Sequence, residues 1–274
     1  MRFCANVSIL FKEVPLLERF ERARAAGFAA VELWWPSGEE PAEVAAAVGA
    51  AGLEVVLLNF DAGEMSAGDR GLISDPDRQQ RFRENVPVAL ELAHRTGCRR
   101  MNALVGKGLP GMSREEQLGL ARGNVRFAAE RAAGQGAQVL IEAVNTFENG
   151  PYLLANTADA AEFVRGVERE NVWLQYDVYH MQRMEGNIVA NLRDHLPEIS
   201  HVQIADSPGR GEPGTGELNY PYILGELARL GYEGHVGLEY NPSGEDTERD
   251  TEHSLRWLPQ RARTGEVGVE DLDL

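Results

Sequence analysis

The sequence predicts an α/β protein folded as one closed (β/α)8 TIM barrel, and three observations lead there. Short apolar or β-branched runs alternate with longer Ala/Glu/Arg-rich amphipathic segments, the pattern of repeated βα units on a parallel sheet. Eight such units fit within the 274 residues. No Gly-x-Gly-x-x-Gly follows the first strand, which turns the choice away from an open dinucleotide-binding sheet.

In order along the chain, strands are expected at residues 2–6, 30–34, 54–59, 100–104, 138–142, 172–177, 201–204 and 235–239. Each is a short run rich in apolar or β-branched residues. The clearest helices lie at 15–26, 41–51, 76–96 and 113–133, opened by Pro15, Pro41, Pro76 and Ser113 and closed by Gly27, Gly52, Gly97 and Gly134. Proline or serine at the start and glycine at the stop are the usual helix punctuation. Two connections, 60–76 and 206–219, are too long to be mere links. Both follow strands, so both lie on the face where barrel enzymes keep their chemistry. Residues 1–259 read as the barrel domain; 260–274, with Arg261, Arg263, Glu266, Glu270, Asp271 and Asp273 and no core pattern, read as a surface tail.

Composition removes several classes of function. Lys and Arg number 27 against 43 Asp and Glu, a formal charge of −16 that repels phosphate backbones, so no nucleic-acid partner is expected. Cys4 and Cys98 are the only cysteines and form no Cys-x-x-Cys, so neither a disulfide scaffold nor a structural zinc is indicated and a reducing cytoplasm is expected. No apolar run approaches the ~20 residues of a membrane helix. The apolar stretch at 7–11 is cut off by Lys12, Glu13 and Pro15, which does not read as a signal peptide.

The last four strands carry the chemistry. VLIE ends in Glu142, LQYD in Asp177, HVQI carries Gln203 and VGLE ends in Glu239, each one βα unit from the next, so four oxygen donors project from neighbouring strands at one rim. Three carboxylates there repel strongly unless one protonates or a divalent cation binds. An all-oxygen set suits Mg²⁺, or Mn²⁺, better than Zn²⁺. Glu148 and His180 fall at the same rim, and Lys107 and Arg210 sit in following loops as cations for a substrate carboxylate. Asn6, Asn59 and Asn102 close early strands and read as turn formers, and Trp34 and Trp35 as packing that also fits a pocket wall.

The stretches ERARAAGFAAVELWWP, AGDRGLISDPDR, MNALVGK, QYDVYHMQRMEGN, HVQIADSPGRGEPGTGELNY and GLEYNP resemble the hydroxypyruvate isomerase family, within the xylose-isomerase-like barrels that include ketose 3-epimerases. The likeness covers nearly the whole chain. It implies a divalent metal held by Glu142, Asp177, Gln203 and Glu239, Glu142 and Glu239 as the acid/base pair, and Glu148 and His180 at the substrate. The chain departs from the pattern at Gln203, where epimerase relatives carry histidine, at Ala143, where proline is common, and at Asn241, where a basic residue is common. The implied reaction interconverts hydroxypyruvate and tartronate semialdehyde through an enediolate, with Arg210 holding the carboxylate. Its alternatives are a 2-oxotetronate isomerase, a ketose 3-epimerase, a metal-dependent dehydratase, a nuclease relative and a non-catalytic binder. A small hydroxy or keto acid is the expected partner, and the family's habit of association is compatible with a homo-oligomer.

Overall fold

The computed structural model describes residues 1–243, 250–265, 268 and 270. The first half of the chain runs β1 (Arg2–Asn6), α1 (Leu16–Ala25), β2 (Ala30–Leu33), α2 (Pro41–Ala51), β3 (Glu54–Asn59), α3 (Gln79–Thr96), β4 (Arg100–Asn102) and α4 (Arg114–Ala133). The second half runs β5 (Gln138–Glu142), α5 (Thr146–Asn149), α6 (Thr157–Val167), β6 (Val172–Asp177), α7 (Val178–Met184), α8 (Ile188–His195), β7 (Ile199–Ile204), α9 (Tyr220–Arg229), β8 (His235–Leu238), α10 (Asp250–Ser254) and α11 (Gln260–Thr264). The strands are parallel and adjacent in chain order, and β1 pairs with both β2 and β8, which closes the barrel.

The helices form where apolar residues recur every three or four positions. In α3 the buried stripe is Phe82, Val86, Ala89, Leu90 and Ala93; in α4 it is Leu118, Ala121, Val125, Ala128 and Ala132. Ser113 and Glu116 cap α4 reciprocally, each side chain accepting from the other's backbone N–H, which satisfies two otherwise orphaned donors. Gly97 ends α3 in the left-handed region at φ 73°, where a β-carbon would be strained. These stripes pack on the outward residues of the strands to make the main core.

The structure moves several expected boundaries. β2, β4 and β8 stop at Leu33, Asn102 and Leu238, one or two residues short of expectation. Beyond two of those ends a single backbone bond persists without extending the ladder: Ala103 N to Leu140 O at 2.9 Å and Glu239 N to Ile204 O at 3.2 Å. β7 instead begins at Ile199, paired with Leu174. α3 starts at Gln79, because Asp75 O accepts from Arg78 N and Gln79 N in a turn first.

The surface-tail reading does not hold for its first residues. α11 buries Ala262 fully, and the Arg263 guanidinium donates to Ala26 O at 2.9 Å and Leu255 O at 2.8 Å, so the barrel's packing reaches Arg263. Of the rest of that segment only Gly265, Gly268 and Glu270 are described; the remainder of the expected tail lies outside the described residues. Among the described residues, no helix is long and apolar enough to cross a membrane.

Candidate active site

Parallel register carries the predicted acids to one rim. Glu142 closes β5, Asp177 closes β6, Gln203 lies in β7 and Glu239 follows β8; Asp177 pairs in register with Gln203, and Gln203 with Gly237. All four side chains are buried. A cavity of about 90 Å³ opens there, its titratable walls being Glu142, Glu239, His180, Arg70 and Arg210. A wider groove of about 480 Å³ shares Trp34, Asn59 and Met65 with it.

Each glutamate is held by an amide from the adjacent strand. Asn102 Nδ2 donates to Glu142 Oε2 at 2.8 Å, and Asn6 Nδ2 to Glu239 Oε1 at 3.0 Å. Trp34 Nε1 also donates to Glu239 Oε1 at 2.5 Å, and Arg210 Nη2 lies 2.7 Å from Glu239 Oε2. Asn6 is a turn former as expected, its Oδ1 accepting from Ser8 N at 3.0 Å, but its amide also reaches Glu239, while Asn102 and the Trp34 indole each donate to a buried glutamate. Their signal in the sequence is only position: a polar group or indole at a strand end, one or two strands away from an acid.

Burial raises all three carboxyls. Glu142 is held well above the usual carboxylate range by desolvation and by the charges of Glu239 and Asp177. Desolvation pushes Glu239 up to about 7 even against the Arg210 cation, and raises Asp177 in the same way. Asp177 Oδ1 accepts the Tyr179 N–H at 2.7 Å, but the buried Oδ2 has no hydrogen-bond partner. Ligand atoms of Glu142, Asp177 and His180 lie within 4.8 Å of one another. An orphaned buried oxygen among under-neutralised carboxylates fits a hard divalent cation.

The other predicted site residues divide. His180 stays beside the acids, its Nε2 3.6 Å from Asp177 Oδ2 and 3.8 Å from Glu142 Oε1. Burial, with the positive charges of Arg210 and Arg70 behind it, drives the imidazole well below its usual pKa, so it is neutral. Asn145 Oδ1 accepts from Glu148 N, which turns its Nδ2 toward His180 Nδ1 at 2.8 Å and leaves the proton on Nε2, facing the cavity. Arg210 reaches the rim but is engaged with Glu239 and lies 3.9 Å from Asp177 Oδ2. Glu148 is bound to Tyr179 OH and lies 3.7 Å from Arg183 Nη1, outside the cavity wall. Lys107 is also outside it, donating its ammonium to Gly68 O at 2.6 Å.

Gln203 is tied into a second network that sequence reasoning missed. Inside the barrel Glu32 accepts from Asn6 Nδ2 at 3.0 Å, Gln203 Nε2 at 2.6 Å and Cys4 Sγ at 3.6 Å, and shares a 2.6 Å bond with His201 Nε2. Gln203 Oε1 accepts from Gln175 Nε2 at 2.6 Å and keeps one lone pair. The register shift between Val31 and Glu32 marks where β2 departs from regular pairing. The only sequence signal was an acid inside the apolar run AVEL.

A closed barrel with an acid-lined cavity at the carboxyl ends of its strands is the architecture of a barrel enzyme. Residues 20–261 match the family described as xylose isomerase-like TIM barrel. The chain is 39% identical over 258 residues to the hydroxypyruvate isomerase of Escherichia coli K12, covering 94% of this chain and 98% of that one. It is 40% identical over 245 residues to the 2-oxo-tetronate isomerase of Haemophilus influenzae, covering 89% and 95%. A crystal structure from Brucella melitensis named AP endonuclease, family 2, superposes with a TM-score of 0.87 at 40% identity, covering 93% and 97%. The chain belongs to the xylose isomerase-like TIM barrel family, alongside the hydroxypyruvate isomerases, and is an isomerase.

Proposed function

We propose that this isomerase interconverts hydroxypyruvate and tartronate semialdehyde, with Glu142 and Glu239 as its acid/base pair. The observation that carries the reading is that two buried glutamates with raised pKa values, Glu239's at about 7, line one small cavity. A carboxyl titrating near neutrality both takes and gives a proton readily. One glutamate removes the proton from C3 and the other delivers one to C2, while the hydroxyl proton passes from O3 to O2. Asn102 and Asn6 hold the two carboxylates in place through that exchange. The His180 Nε2–H is a neutral donor for a substrate oxygen, and its low pKa keeps it from competing for the migrating proton.

Glu142, Asp177, Gln203 and Glu239 would hold a divalent metal, Mg²⁺ or Mn²⁺. Bound there, it would supply Lewis-acid stabilisation for the negative charge that develops on the substrate oxygens. The cavity of about 90 Å³ is small beside the neighbouring groove of about 480 Å³, which accords with a compact acid as ligand. A four-carbon 2-oxotetronate is the second reading, favoured by the relative of that name and by the wider groove beside Trp34. The charge of −16 weighs against a nucleic-acid substrate, and the two buried free thiols fit a reducing compartment.

Proton NMR in D₂O of hydroxypyruvate, and separately of a 2-oxotetronate, with Mg²⁺ and with EDTA, tests the reading. Metal-dependent appearance of the aldehyde from hydroxypyruvate, abolished in Glu142→Gln and Glu239→Gln, is expected. Faster turnover of the longer acid transfers the proposal to the second reading, and loss of water instead of isomerisation replaces it with a lyase.

A further inference from the structure

The cavity wall holds a second arginine that forms no ion pair with a carboxylate among the described residues. Arg70, half-buried in the loop after β3, donates from Nε to Asn149 Oδ1 at 2.5 Å and from Nη1 to Met65 O at 3.0 Å and Asp69 O at 2.6 Å. All three acceptors are neutral amide oxygens, so they fix the guanidinium plane without neutralising it. Its chain neighbour Asp69 pairs with Arg78 instead, at 2.7 Å. Among the described residues no carboxylate lies within 4.0 Å of Arg70, and its Nη2 makes no hydrogen bond.

Arg210 is in the opposite condition. Glu239 lies 2.7 Å and Asp177 Oδ2 3.9 Å from its Nη2, so a substrate carboxylate arriving there competes with two carboxylates of the protein. At Arg70 the one carboxylate that acts, that of its chain neighbour Asp69, does so from beyond ion-pair distance and is itself paired with Arg78, so an arriving anion displaces no direct partner. Burial first, and then the positive charge of Arg210, already pull Arg70 below the usual arginine range, and an anion offsets both.

The loop is stitched down on either side of Arg70. Lys107 Nζ donates to Gly68 O at 2.6 Å, and Gly71 bridges to Val105 so closely that a β-carbon at Gly71 would stand 2.1 Å from Leu104 O. The guanidinium is thus presented with little ordering left to be done on binding.

We propose that Arg70 anchors the substrate's terminal carboxylate and so determines the preference of this site for a 2-oxo acid over a neutral ketose. This deepens the function proposed above and rests on it. Lys107 acts one step behind, as a positioning residue for the loop that carries Arg70.

The test separates binding of the carboxylate from turnover. Pyruvate, which has the 2-oxo acid group but no 3-hydroxyl, and hydroxyacetone, which has no carboxylate, are titrated by calorimetry in Mg²⁺ buffer into wild type, Arg70→Gln and Arg70→Lys. The pyruvate Kd is expected to rise at least roughly 10-fold in Arg70→Gln and less in Arg70→Lys, with hydroxyacetone changing under about threefold. In hydroxypyruvate kinetics KM should rise more than kcat falls. A pyruvate affinity in Arg70→Gln within about threefold of wild type, or no pyruvate binding by wild type, overturns the assignment. Wild-type protein that binds pyruvate through Arg70 yet leaves hydroxypyruvate and 2-oxotetronate unchanged overturns the isomerase substrate and leaves the anchor standing. Circular dichroism on both variants separates these outcomes from misfolding, and Arg70→Lys carries the test if Arg70→Gln does not fold.

Discussion

The Trp34 indole N–H meets Glu239 Oε1 at 2.5 Å, joining the chain just past β2 to the chain just past β8 over the end of β1, which lies between them. Glu239 thereby has three donors, from Asn6, Trp34 and Arg210, each from a different part of the chain. Removing the indole donor by Trp34→Phe leaves a smaller aromatic ring in place and deletes one bond to a buried carboxylate, worth about 1.5–3 kcal/mol. kcat/KM should fall roughly 10- to 100-fold, and the Glu239 limb of its pH profile should move to higher pH, because the lost bond favoured the charged form. An unchanged profile would show that the indole only packs.

Glu239's folded-state pKa of about 7 stands above its usual value of 4.5. Between those values the metal-free folded protein binds a proton that the unfolded chain has released, so this group makes the fold progressively less stable as pH rises from about 4.5 through 7. A cation that neutralises the site removes that penalty. The rise in Tm on adding Mg²⁺ over EDTA should therefore be larger at pH 8 than at pH 5.5, as read by differential scanning calorimetry. An equal or smaller rise at pH 8 contradicts the charge arrangement.

Gly237 in β8 is small because Glu32 lies against it: a β-carbon there would stand 2.3 Å from Glu32 Oε2 and 2.6 Å from its Cδ. Glu32 cannot swing aside without abandoning Asn6, Gln203 and His201. Gly237→Ala should cost about 1–3 kcal/mol in urea unfolding and disturb Gln203, seen as weaker Mg²⁺ binding. Wild-type stability and metal affinity in this variant would show that the interior network has slack.

Gly49 and Gly119 sit in α2 and α4 with open space where a β-carbon would be and no left-handed backbone. Gly49→Ala and Gly119→Ala should each stabilise the protein by about 0.5–1 kcal/mol by helix propensity alone. Gly71→Ala is expected to behave in the reverse way, since its φ of 119° and the 2.1 Å approach to Leu104 O leave the alanine nowhere to go. It should raise KM for the 2-oxo acid by displacing Arg70 while the other two variants keep wild-type kinetics.

The eight βα units and the acids of the last four strands were legible because both are local: alternation sets a strand's faces, helix stripes recur every three or four residues, and a strand-end residue lies at a rim whatever the strand's neighbours. Glu142, Asp177, Gln203 and Glu239 accordingly gather at one rim as expected. Pairings across the closed barrel were not legible. Asn6 and Glu239 are 233 residues apart and meet only because β1 closes on β8. Glu32 became the centre of a polar network only once β1, β2 and β7 had brought Cys4, Asn6, His201 and Gln203 around it.

The same reason decides the arginines. By itself the sequence determined the barrel, its functional face and an oxygen-rich site, since each follows from periodicity within one unit and the order of units. Only the tertiary structure decided that Arg210 is engaged by Glu239 while Arg70 stands without a carboxylate partner, because a cation's partner is set by distances between segments that are remote in the chain.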